Sequence, residues 1–152
     1  GAILCASIGM DGETVTYKVE QLGNDKKVVR EAKELLEEAD AWVTFYGKGH
    51  DIPLLNTRLL KWGLAPVDPR PHIDMYYQLK YKTKLASKSQ AHFASWLDLP
   101  EKKMSVSPDV WASIGGNFNT NMKIIVERCE SDVLTLTQLY DRCKHLIRDI
   151  NR

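Results

Sequence analysis

At 152 residues, with 43% hydrophobic and 27% charged residues, the chain has the size and composition of one ordinary globular domain, which excludes disordered and fibrous classes. The formal net charge of +1 leaves nucleic-acid binding open, because one basic face is compatible with overall neutrality. No apolar run approaches the roughly 20 residues of a membrane helix and no signal segment opens the chain, so no membrane partner and a cytoplasmic location are expected, with Cys5, Cys129 and Cys143 reduced and buried.

Residues 2–9 (AILCASIG) form a short apolar run, and residues 14–20 (TVTYKVE) alternate β-branched or aromatic with polar side chains. The intervening Asp11-Gly12 signals a tight turn, so a β-hairpin is expected. Asn24 or Asp25 is placed to cap a helix whose apolar positions Val28, Val29, Ala32, Leu35 and Leu36 have helical spacing, ending near Ala39. Residues 41–46 (AWVTFY), bounded by Gly47, read as a buried parallel strand. A second helix starts at Asp51, tolerates Pro53 in its first turn and stops at Gly63.

The proline-rich segment 65–71 (APVDPRP) reads as an irregular connection, and residues 73–79 as the start of a short helix. A basic stretch, 80–88, leads to a helix capped by Ser87 or Ser89 and running to Leu97. Residues 104–121 look loop-like. A long helix from about Asn121 to Ile150 carries one stripe through Ile125, Cys129, Val133, Leu136, Cys143 and Leu146. There is no repeat and no linker, so one α/β domain with a helical second half is expected over residues 1–152.

Two acids stand at positions with chemical potential. Asp51 follows a strand and a glycine turn and opens a helix, so it reads either as a helix cap or as a ligand at the carboxyl end of a strand. Asp132, three residues after Cys129 and four before Leu136, falls on the border of the apolar stripe, where a carboxylate needs a partner or a solvated edge. Together they suggest a hard-metal site for Mg²⁺ or Mn²⁺, although two carboxylates rarely suffice for a pair of ions.

The stretch 45–64 (FYGKGHDIPLLNTRLLKWGL) resembles the second motif of the ribonuclease H-like 3'-5' exonucleases of the DEDD superfamily, in the branch common in phages and bacteria. The match includes Asp51, Ile52, Pro53, Leu55, Asn56, Arg58, Gly63 and Leu64. Residues 126–140 (VERCESDVLTLTQLY) resemble the third motif of that branch, and His72-Ile73-Asp74 resembles its IDT segment. The resemblance implies a ribonuclease H-like mixed sheet, formed by the hairpin plus a parallel strand, with flanking helices and Asp51 and Asp132 as metal ligands. It implies a phosphodiester hydrolase acting on DNA, at single-stranded or 3' ends, with RNA as an alternative substrate. An endonuclease or junction resolvase on the same fold and a non-catalytic nucleic-acid-binding domain are the competing readings.

The chain departs from the family pattern at several points. The first-motif strand, bearing Asp-x-Glu, is missing from residues 1–13, and its absence leaves a gap in the expected sheet; an N-terminally truncated domain is therefore expected. The family's Asn ahead of the second-motif Asp is Tyr46, and its Phe beside that Asp is His50. Arg128 stands where a water-orienting Tyr belongs, and Glu127 where related enzymes place a His. Catalytic candidates are thus Asp51, Asp132, His50 and Arg128, with Asp74 as a supporting group. Substrate contacts are expected from Lys48, Tyr77, Lys80, Lys82 and Lys84, with Lys102 and Lys103 lining a strand channel; a solvated basic surface is the bland alternative.

Overall fold

A computed structural model describes residues 1–101, 106–112, 114–148 and 150. Strands β1 (Cys5–Met10) and β2 (Glu13–Lys18) form the expected antiparallel hairpin, with Met10 opposite Glu13. Asp11 (φ 52°) and Gly12 (φ 81°) both occupy the left-handed region, the requirement of the two-residue turn that matches strand twist.

Helix α1 (Lys26–Glu38) starts where expected, but the Asp25 carboxylate does not cap it. Its buried residues serve two partners. Val28 joins Val19, Met122 and Ile125, whereas Val29 and Ala32 join Leu55 and Leu59 of α2 (Asp51–Lys61). Leu59 is fully buried, a burial that stabilises by roughly 1.5–3 kcal/mol. Gly63, at φ 72°, ends α2 by a turn that non-glycine residues rarely adopt.

Strand β3 (Trp42–Thr44) is parallel, as expected, and its partner is β4 (His72–Asp74), with Thr44 opposite Asp74. The sequence pattern places a helix start over residues 73–79; the chain is instead extended to Asp74, and helix α3 (Met75–Lys80) follows. Pairing with β3 fixes His72–Asp74 as strand, and Asp74 then starts the helix by accepting from the Tyr76 amide. Segment 65–71 is irregular, clipped by Asn56 Oδ1, which accepts from the Val67 amide at 3.0 Å.

Helix α4 (Gln90–Trp96) is capped by Ser89, whose hydroxyl accepts from the His92 amide. Segment 104–121 is not wholly loop: α5 (Pro108–Ala112) interrupts it, and α6 starts at Phe118. Pro108 at a helix start is compatible with its missing amide hydrogen. Helix α6 (Phe118–Cys143) stops short of Ile150, giving way to a 3-10 turn over Lys144–Leu146.

Two strand pairs, rather than one mixed sheet, are present among the described residues: β1-β2 and β3-β4. Helix α6 spans both. Its first half packs Met122, Ile125 and Cys129 against the hairpin side and α1. Its second half packs Leu136, Leu139 and Cys143 with Val43, Phe45, Met75, Leu79 and Phe93. Gly9 of β1 lies so close to this helix that a Cβ there would stand 2.9 Å from Val133 Cγ1. Among the described residues no helix is long and apolar enough to cross a membrane.

Candidate active site

The loop between β3 and α2 is built around Asp74. This carboxylate is fully buried and accepts the Tyr46 amide at 2.7 Å, the Lys48 amide at 3.1 Å and the Tyr76 amide at 3.1 Å. One side chain therefore caps α3 and fixes the turn that delivers residues 48–51. Tyr46 is held at φ 61°, a conformation uncommon for a non-glycine residue and natural to the Asn of the resembling family. A Cβ at Gly47 would collide with the Thr44 Cβ and its substituents, so that glycine is required by close approach, whereas one at Gly49 would meet the far end of the Tyr46 ring, which can shift.

Asp51 emerges from this turn at the carboxyl end of β3 and the first position of α2. Its side chain is 62% exposed, and His50 Nδ1 lies 2.9 Å from its Oδ1. The other polar residues of the motif have structural duties. Asn56 clips the proline-rich connection. Arg58 donates Nε and Nη2 to the two oxygens of Asp25 at 2.8 and 2.9 Å, and Trp62 Nε1 donates to the same carboxylate at 2.8 Å. Asp25, fully buried, also accepts from the Ile3 amide. Burial pushes the Asp25 carboxyl upward, but the Arg58 hydrogen bonds, with those from Ile3 and Trp62 and the Arg58 charge, outweigh it and hold the pKa at about 2.

Asp132 is half-buried on α6, at the point where the helix passes from the hairpin cluster to the β3–α3 cluster. Its backbone carbonyl accepts from Gln90 Nε2 at 3.0 Å, which ties this turn to α4. Arg128, one turn earlier, places its guanidinium 6.0 Å from the centre of the Trp111 ring, a cation–π contact. Ser131 and Thr135 hold Glu101, by bonds of 2.7 Å to its carboxylate and 3.2 Å to its carbonyl. Among the described residues no group of three or more His, Cys, Asp or Glu side chains forms a metal-binding cluster. Asp51 and Asp132 are chemically suited to Mg²⁺ or Mn²⁺, but the described donors are too few for a complete site.

The basic candidates separate into two groups. Lys80 stands over Tyr76 (5.7 Å) and Tyr81 (5.3 Å), and Tyr46 packs against Tyr76 (4.8 Å) and Tyr77 (6.0 Å). These residues make an aromatic and cationic patch continuous with the loop carrying Lys48 and Asp51. Lys82 is employed elsewhere, donating to Gln78 Oε1 and the Leu146 carbonyl. Lys84 is exposed in the following segment, and Lys102 and Lys103 lie outside the described residues.

On the other side of the loop is a cleft of about 350 Å³, whose lining includes Trp42, Lys48, Ile52, Asn56, Arg70 and His72. His72 is buried, with Nε2 2.7 Å from Thr44 Oγ1. Burial lowers its pKa, and Lys48 acts in the same direction against the opposing charges of Asp74 and Asp51. Sequence reasoning missed both this histidine and the cleft, since the β3–β4 pairing that brings Trp42 and His72 together joins distant segments.

A parallel strand pair packed beneath a long crossing helix, with a helix-initiating carboxylate beyond its carboxyl end, defines the class: an α/β domain. The sequence matches the family model RNase_H_2, of the RNase_H superfamily, over residues 2–144, and the chain belongs to that family. No curated protein matches it. Membership points to a nuclease-type hydrolase with a nucleic-acid substrate; nucleases of this superfamily typically use divalent metals.

Proposed function

We propose that the chain is a 3'-5' exonuclease domain of the DEDD type that hydrolyses phosphodiester bonds of DNA, at single-stranded ends, with Mg²⁺ or Mn²⁺. The carrying observation is the contrast within the second motif. Asn56, Arg58 and Trp62 are consumed by structural contacts, whereas Asp51 stands exposed at the strand end beside His50. An exposed carboxylate so placed, on a loop fixed by a buried aspartate, is preorganised for a ligand.

Asp51 and Asp132 supply oxygen ligands in this reading, with water and the phosphate oxygens of the strand filling the rest of the shell. The support is the course of α6, which brings Asp132 to the junction of the hairpin and β3 clusters. Two divalent ions, when bound, activate water and stabilise the leaving oxygen. His50 positions the Asp51 carboxylate. The Tyr46, Tyr76 and Tyr77 rings stack bases of a single strand, and Lys48 and Lys80 hold its phosphates; Lys84 extends the basic track. Arg128, whose guanidinium lies over the Trp111 ring, donates from its N–H edge to a phosphate.

The incomplete donor set favours one second reading, a domain that binds nucleic acid without cutting it. Incubation with Mn²⁺ and an end-labelled single strand separates the readings. Mononucleotides released from linear DNA, with closed circles spared, are expected. Cutting of circles establishes an endonuclease, and binding without turnover establishes the non-catalytic reading.

A further inference from the structure

The two cysteines on β1 and α6 are separated by 124 positions in sequence, yet their Sγ atoms lie 2.7 Å apart. Unbonded sulfur atoms do not rest so close, and the disulfide bond length is about 2.05 Å. The opposed elements are held independently of the sulfurs. Cys5 lies in a six-residue strand paired along its whole length with β2, and Cys129 in the interior of the 26-residue α6. Both side chains border the cluster of Val19, Val28, Met122 and Ile125, and both residues are half-buried rather than sealed in the core. Cys143, by contrast, is buried in the other cluster.

We propose that Cys5 and Cys129 are a redox-modification site, oxidised by low-molecular-weight disulfides to a reversible cross-link that staples β1 to α6. One of the two cysteines, as its thiolate, attacks one sulfur of the small disulfide, forming a mixed disulfide and expelling one small thiolate. The other then attacks the protein-bound sulfur of that mixed disulfide, giving up its proton and expelling the second. Two protein thiols are oxidised by two electrons, one small disulfide is reduced, and both protons end on the two small thiols. Either sulfur can donate in the contact, so either thiol can lead, and the cross-linked product is the same.

Cys129 precedes Asp132 by one helical turn, so the closed bond also fixes the turn that carries this carboxylate. That consequence rests on the metal-site reading; the cross-link does not. Closing so long a loop restricts the unfolded chain strongly, and a rise in Tm of about 10 °C is expected on oxidation.

The test uses the full chain, equilibrated with excess oxidised glutathione, acid-quenched, alkylated and mapped by peptide mass. The expected product is a Cys5–Cys129 cross-linked peptide with Cys143 alkylated, restored to three alkylated thiols by dithiothreitol. The same cross-link is expected in Cys143→Ser, and the oxidant-dependent Tm rise is expected to vanish in Cys5→Ser. Three alkylated cysteines after oxidation, stable glutathione adducts without a cross-link, or pairing that involves Cys143 would each overturn the proposal. Since none of these readouts involves nucleic acid or metal, failure here is distinguishable from failure of the nuclease reading.

Discussion

Replacing Asp25 by Asn isolates the buried ion pair at the heart of the second motif. The substitution preserves shape but removes the charge that faces Arg58 Nε and Nη2, and it turns an amide toward groups that can only donate. Breaking one side of a buried pair costs about 3–5 kcal/mol, and the 13% exposure of the Arg58 side chain places the loss near 3 kcal/mol. For a domain of this size that corresponds to a fall in Tm of roughly 6–12 °C. The pH dependence provides an independent measure. Asp25 is depressed from 3.8 to about 2, so its contribution, roughly 2.5 kcal/mol, is fully present above pH 4 and disappears as pH falls through about 2. Urea titrations of both proteins between pH 7 and pH 2 should therefore show a gap in stability that narrows below pH 4. Equal stability at pH 7, or a gap unchanged at acid pH, refutes the assignment of Arg58 as a structural residue.

Asp74→Ala should cost roughly 2 kcal/mol by removing the acceptor of three amides, and should accelerate hydrogen exchange at Tyr46 and Lys48, as seen by NMR. His72 is held neutral by burial, with its pKa below 6.5. The unfolded chain takes up that proton first, so stability should fall as pH drops below 6.5, and His72→Gln should flatten this limb of the urea-derived profile. Lys80→Ala should weaken single-strand binding and reduce its salt dependence by about one phosphate contact, measured by fluorescence anisotropy at several salt concentrations, while Lys82→Ala should chiefly lower Tm.

Local signals in the sequence carried the elements that local chemistry decides. Asp11-Gly12 announced the hairpin, and the apolar spacing of Val28, Val29 and Ala32 announced α1. What pairing decides was not legible. Residues 72–74 have little strand character alone, and become β4 because Trp42–Thr44 offers a parallel partner. Asp25 looked like a helix cap because the cue is local, whereas its actual partners lie 33 and 37 positions away. The sequence presents the cysteines as reduced, buried thiols; Cys5 and Cys129 are half-buried and meet only once α6 has crossed the hairpin. For the site, the resemblance selected Asp51 and placed Asp74 behind it; the contacts of Asp74 supply the physical reason for that support.

The central claim is that Asp51 and Asp132 bind divalent metal, and Mn²⁺-induced line broadening of amide resonances in the full chain tests it most directly. Selective broadening at residues near Asp51 and near Asp132 is predicted, reduced in each of Asp51→Asn and Asp132→Asn with both variants folded. Broadening distributed over other surface acids and unchanged by either substitution would contradict it.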